Sequence, residues 1–167
     1  METKYTAYHF SYTDMEIGAR LQPRTHNCFS ATKAKAEESL EKIRRSKYPD
    51  YNTRLCCVFL APTKESALEW CKEINIKHWR NEQQEVSFFL YSVEVREKPI
   101  WFDSHILADF YVQNKNIDRI SEAYWESGKD SVEPHTTQTL EYMTANEVII
   151  TSKSKCKINT EGTIIEE

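Results

Sequence analysis

Three glycines, Gly18, Gly128 and Gly162, are all that 167 residues contain. They are too far apart for a G-x-G-x-x-G turn or a P-loop, both of which need glycines within a few residues so that backbone amides can close on phosphates. A nucleotide bound by this chain is therefore held without a glycine-rich cradle. The length suits one compact domain, and 1–167 is expected to form a single one. Hydrophobic residues make up 40% of the chain, enough for a sizeable core that needs no staples.

The formal net charge is -4, which argues against a protein held on DNA by bulk phosphate attraction, though not against a local basic patch. The five cysteines (Cys28, Cys56, Cys57, Cys71 and Cys156) are odd in number and contain no C-x-x-C pair. A zinc site and a disulfide framework are therefore not expected. Reduced thiols in a cytoplasmic protein are expected instead. No window approaches 18 apolar residues, and the opening METKYTAYHFSYTD lacks the pattern of a secretory signal, so no membrane partner is expected. H-E-x-x-H, G-x-S-x-G and EF-hand patterns are absent, so a catalytic site must be assembled from scattered residues.

The order of elements reads as α+β. Lys4 to Tyr12 alternate like a strand. Ala31 to Arg45 are strong helix formers with few apolar positions, which predicts a mostly solvated helix. Arg54 to Ala61, RLCCVFLA, have the length of a buried strand. Thr63 is placed to cap a helix running to about Arg80. Val86 to Arg96 form a second long strand, Ser104 to Val112 and Ile117 to Trp125 two short helices, and Gly128 the stop of the second. Gln138 to Met143 and Glu147 to Thr151 read as strands, with a last hairpin around Gly162. The regular βαβ alternation of a doubly wound sheet is missing.

Two patches stand out chemically. One is Tyr8-His9 on the opening strand. The other is Gln138-Thr139-Leu140-Glu141-Tyr142, where Glu141 sits in a strand against propensity. Gln138, three positions before Glu141, would face the other side. A third feature is the basic stretch Lys42, Arg44, Arg45, Lys47 and Arg54, interleaved with Tyr48 and Tyr51. Cations among aromatics suit single-stranded nucleic acid, where bases stack and phosphates pair, although a charge run is also what a solvated helix face looks like. Arg54 at the start of a strand is suited to a bidentate grip on a pyrophosphate.

The joint order of YHFSYTDMEIGARLQPR, KYPDYNTRLCCVFLAPTKESALEWC, FFLYSVEV, and AYWESG followed by QTLEYMTANEVII resembles the ADP-ribosyltransferase fold. More narrowly, it is similar to a bacterial and phage branch distantly related to rifampicin ADP-ribosyltransferases. The resemblance covers Tyr5 to Thr151. It implies split antiparallel sheets flanked by helices, with NAD as the substrate and no metal. It implies that His9, beside Tyr8, bonds the adenosine-side ribose. It implies that Glu141 bonds the 2'-hydroxyl of the nicotinamide ribose. Where that family carries a tyrosine or a Ser-x-Ser or Ser-x-Thr pattern, this chain has Cys57-Val58-Phe59. Phe59 then packs in the core or against nicotinamide, and the stacking role can pass to Tyr48, Tyr51 or Tyr91.

The chemistry suits such a carboxylate, because cleaving the nicotinamide–ribose bond builds positive charge on the ribose. The resemblance implies a mono-ADP-ribosyltransferase acting on a macromolecule, with the basic-aromatic stretch (Arg44, Arg45, Lys47, Tyr48) favouring RNA or DNA over protein. It also implies a toxin of bacterial or phage conflict restrained by an antitoxin protein. The alternatives are a non-catalytic binding module of the same fold, supported by Val58 in the middle motif, and an NAD glycohydrolase with water as acceptor.

Overall fold

A computed structural model describes residues 3–25, 27, 31–82, 85–107, 116–129 and 140–167. The chain divides into two compact units. The first comprises Met1–Leu21, Leu60–Lys98 and Val148–Glu167, and the second comprises Gln22–Phe59 and Pro99–Glu147.

The first unit is built on a five-stranded sheet. Its order is β1 (Tyr5–Ser11), β4 (Val86–Val95), β7 (Val148–Ile158), β2 (Arg20–Leu21), with β8 (Ile164–Glu166) also pairing with β7. Each of these pairings is antiparallel. The β4–β7 register slips between Ser92 and Val93. Thr151 is the residue left over there, and its hydroxyl donates to the Ser92 carbonyl at 3.1 Å, as a bulge in a long ladder allows. Helix α2 (Lys64–Glu82) starts where predicted. The Thr63 hydroxyl oxygen accepts the Ser66 amide at 3.1 Å, an N-cap bond. The core of this unit joins Ala67 and Cys71 of α2 to Phe88, Leu90, Cys156 and Ile158 of the sheet, with Tyr8 and Phe10 packed against it.

A three-stranded sheet has the order β3 (Val58–Leu60, of which Val58 and Phe59 belong to the second unit), β6 (Leu140–Thr144), β5 (Phe102–Asp103), with β5 and β6 antiparallel. Helices α1 (Ala31–Lys47) and α3 (Ile117–Ser127) and a 3-10 turn at Ser104–Leu107 complete the second unit. Ala36, Leu40 and Ile43 of α1 pack with Tyr124 and Trp125 of α3, Phe102 and Met143, and the Trp125 indole N–H donates to the Leu40 carbonyl at 2.8 Å.

The structure corrects several expectations. The strand expected over 54–61 is only Val58–Leu60, because Asn27 Nδ2 donates to the carbonyls of Arg54 and Cys57 and holds those residues in a turn. The strand expected to end at Thr151 continues to Ile158. Lys153, Lys155 and Lys157 lie on this longer interior strand, each paired with an acid: Asp14, Glu167, and Glu85 with Glu167. Helix α1 is not mostly solvated, since Glu37, Ser39 and Glu41 are buried beside its apolar positions.

Gly128 follows α3 as expected but has φ -73, which any residue can adopt. The glycine is needed for close approach instead: a Cβ there would lie 2.4 Å from Phe102 Cε1. Phe102 is held by rings of Tyr51, Tyr124 and Trp125 within 5.3 Å, so it has little room to move. Gly128→Ala is expected to cost about 1–3 kcal/mol by overpacking. Urea denaturation would show this as a lower midpoint with an unchanged slope, and a loss below about 0.5 kcal/mol would mean that Phe102 moves freely.

Candidate functional site

The second unit buries a charged network centred on Arg54, which is 6% exposed, with Glu37 at 2% and Glu141 at 5%. Three elements supply it: Glu37 from α1, Tyr124 from α3 and Glu141 from β6, the middle strand of the sheet. Arg54 Nε donates to Glu37 Oε2 at 2.9 Å and Oε1 at 3.2 Å, and Nη2 donates to Oε1 at 3.2 Å. Arg54 Nη1 donates to Glu141 Oε1 and, at 2.8 Å, to the Tyr124 hydroxyl, which in turn donates to Glu141 Oε1. The guanidinium also lies 4.9 Å from the Phe59 ring centroid and 5.1 Å from that of Tyr124, two cation–π contacts.

Burial opposes the charge on Arg54, but Glu141, then Tyr124 and Glu37, outweigh it and hold its pKa well above the ordinary value. Burial raises the Tyr124 phenol well above its usual range, and Glu141 adds to this against the pull of Arg54. Tyr124 is thus a fixed donor to Glu141 at neutral pH. With both carboxylates ionised the network carries one net negative charge. Both bonds to Glu141 end on Oε1, and among the described residues no donor reaches Oε2. A buried carboxylate oxygen left in this state calls for an explanation.

A second cluster lies one turn along α1. Glu41 accepts from Arg44 Nε and Nη2, Arg45 Nε and the Thr53 hydroxyl, all between 2.8 and 3.0 Å. The Arg44 bonds above all, then Thr53 and Arg45, outweigh burial and lower its pKa to about 2. A carboxyl below its ordinary value in the fold stabilises it above pH 4.5 and loses that contribution as pH falls towards 2. Urea midpoints between pH 5 and 2 are therefore expected to fall less steeply in Glu41→Gln than in the wild type. Parallel slopes would remove Glu41 from the acid response. A cavity of about 680 Å³ opens beside both clusters, lined by Asn27, Glu37, Glu41, Lys42, Arg45 and Leu55 among others; Glu141 does not line it.

A family model described as a protein of unknown function, DUF2441, matches residues 1–155. The chain belongs to this family. No curated protein matches it. Every residue of the Arg54 network falls within the part of the chain that DUF2441 covers.

Of the residues singled out from sequence, this DUF2441 chain brings together Arg54, Glu141 and Phe59. Arg54, expected to reach a pyrophosphate, is given Glu37 and Glu141 as partners instead, because a buried guanidinium needs carboxylates. Tyr51 stacks on Tyr48, with centroids 5.7 Å apart. Tyr48 is itself buried and donates its hydroxyl to Glu126, and that burial first, with Glu126, pushes its pKa up to about 12. Arg44 reaches back to Glu41 and to the carbonyls of Pro49 and Tyr51, Arg45 to Glu41, and Lys47 to Glu122. Intramolecular contacts thus engage each of these residues, while the Arg45 and Lys47 side chains stay largely exposed.

Tyr8 and His9 belong to the first unit. The Tyr8 backbone pairs with Ala61, and His9 lies opposite Tyr91 in the ladder. The Tyr91 hydroxyl donates to the Thr13 carbonyl at 2.7 Å and accepts the Met15 amide at 2.9 Å, which ties the loop after β1 to the sheet. Gln138 and Thr139 lie outside the described residues. Among the described residues no cluster of His, Cys, Asp and Glu could hold a metal ion, and no helix is long and apolar enough to cross a membrane.

Sequence reasoning missed Glu37, Asn27 and the polar role of Tyr124. A signal for Glu37 was present: Glu37 and Glu41 are one turn apart, next to the stripe Ala36, Leu40 and Ile43, so they share its buried side.

Proposed function

We propose that this protein is a mono-ADP-ribosyltransferase of ADP-ribosyltransferase-like fold, which cleaves NAD and transfers ADP-ribose to a macromolecular acceptor, nucleic acid before protein. One observation carries it: Glu141 is a buried carboxylate fixed through Oε1 by Arg54 and Tyr124, and among the described residues no donor reaches Oε2.

The chemistry asks for such a group. When the ribose C1'–nitrogen bond breaks, the electron pair leaves with nicotinamide and cancels its ring charge. The ribose carbon is left cationic, and a preorganised carboxylate lowers the energy of that charge as it develops. Oε2 is the atom to accept the hydrogen of a ribose hydroxyl, while Oε1 stays with its own partners. The acceptor's nucleophile then adds to C1' and loses its proton. In this scheme Phe59 serves the nicotinamide side of NAD, and the exposed side chains of Arg45 and Lys47 serve a nucleic-acid acceptor. In a cell such an enzyme would act as a toxin of bacterial or phage conflict restrained by an antitoxin protein.

A specific observation favours a second reading, a non-catalytic binding module: Glu141 is 5% exposed, closed in by its own partners.

The test is nicotinamide release from NAD by the wild type and Glu141→Gln, with total cellular protein and RNA as acceptors. Release that depends on Glu141 supports an NAD-cleaving enzyme. Label on RNA or on protein identifies the acceptor, and release with no labelled macromolecule identifies a glycohydrolase. A folded wild type that releases nothing with any acceptor sinks the enzyme and leaves the binding module.

A further inference from the structure

Arg54 is shared unequally between its two carboxylates. Its Nε and Nη2 edge faces Glu37, while only the Nη1 end faces Glu141. That edge is one of those with which an arginine grips both oxygens of a carboxylate in parallel. With Glu37 on it, Glu141 receives a single-ended contact, and Tyr124 adds its hydrogen bond to the same oxygen.

We propose that Glu37 is a positioning residue for Glu141: by holding the Nε and Nη2 edge of Arg54 and drawing Nη2 to its own Oε1, it leaves Nη1 alone to reach Glu141, and so keeps Oε2 available to a substrate hydroxyl. The proposal rests on the reading of Glu141 as the group that works on NAD. A second carboxylate beside an arginine that already has one is an expensive thing to bury. One acid neutralises one guanidinium, and the additional charge must be desolvated as well. Glu37 nevertheless sits on the buried side of α1 at 2% exposure. Tyr124 acts in the same direction, since its hydroxyl accepts a hydrogen bond from Nη1 and donates one to Oε1. Arg54 and Tyr124 together hold Glu141 by one oxygen, and Glu37 determines which face of Arg54 is left to do so.

Glu37→Gln retains the shape and an acceptor for Arg54 but loses the charge that holds the forked edge. Two readouts are taken on it. In nicotinamide release, kcat is expected to fall at least tenfold, with KM for NAD within about twofold of wild type. In a crystal structure, Arg54 is expected to turn its fork onto both oxygens of Glu141. Glu37→Asp, which keeps the charge, is expected to retain at least a third of the wild-type kcat and a single-ended contact on Glu141. This rescue separates positioning from a general need for a well-packed side chain.

Wild-type kcat in Glu37→Gln, or equal loss in Glu37→Asp and Glu37→Gln, overturns the proposal. If the wild type cleaves no NAD, the function reading fails, and the crystal structures alone decide the role of Glu37. A fork on both oxygens in Glu37→Gln supports it, and an Arg54 still bound to Oε1 alone overturns it. If Glu37→Gln does not fold, Glu37→Asp decides by the same pair of measurements.

Discussion

Arg54→Leu is expected to cost about 3–5 kcal/mol of folding stability, the usual result of removing one partner from a buried ion pair. Leucine fills much of the volume, so the cost is not mainly a cavity. It comes from Glu37 and Glu141, which remain buried with no cation, and from Tyr124, which loses the donor to its hydroxyl. A loss of this size is a large part of the total stability of an ordinary domain, about 5–15 kcal/mol. Urea denaturation at pH 7 measures it. Adding Glu37→Gln and Glu141→Gln to Arg54→Leu should recover about 2 kcal/mol or more, since no orphaned charge is left. A loss under about 1 kcal/mol in Arg54→Leu would mean that the network is hydrated and contributes little.

Glu141→Gln is expected to lower the rate of nicotinamide release by about 10²–10³-fold, the range found when one preorganised electrostatic partner of a transition state is removed. The substitution changes the charge and little else. Glutamine Oε1 still accepts from Arg54 and Tyr124, and the network goes from one net negative charge to neutral. Stability is therefore expected to be unchanged or slightly higher, so lost activity would not reflect an unfolded protein. Because the carboxylate acts on charge that develops during bond breaking, the loss should fall on kcat rather than on KM. Undiminished release by a folded Glu141→Gln would exclude Glu141 from the chemistry.

Much of the fold was legible in the sequence because its strong periodic runs obey local rules. The alternation of β1, the helix formers of α1, the Thr63 cap of α2 and the apolar length of β4 all give elements where expected. The turn at Arg54 was not legible. RLCCVFLA has strand propensity throughout, and only a residue far away in sequence, Asn27, takes its carbonyls out of a ladder. The burial of α1 was misread for a similar reason. Its charged residues look solvated until Arg44 and Arg54 are placed beside Glu41 and Glu37, and those pairings are tertiary. In the candidate site Glu141 was visible as a carboxylate inside a strand, and Arg54 as a cation at the edge of an apolar run. That the two would meet was not visible, because 87 positions separate them. The sequence marks Gly128 as a helix stop, but what the glycine spares is Phe102 rather than a left-handed backbone.

Both units are assembled from separated stretches of chain, and this sets an order of events during synthesis. In the first unit β4 can take β1 as a partner as soon as residue 95 emerges, but its other edge stays open until β7 follows about fifty residues later. For that interval a long, apolar strand edge is exposed on the nascent chain, the condition under which pairing between chains competes with pairing within one. In the second unit Glu37 and Arg54 leave the ribosome together, as a matched pair of opposite charge. Glu141 arrives last, after Tyr124 is in place to receive it, so the unmatched negative charge joins a nearly finished interior. A chain released before residue 141 would lack the middle strand of its sheet and with it the proposed chemistry.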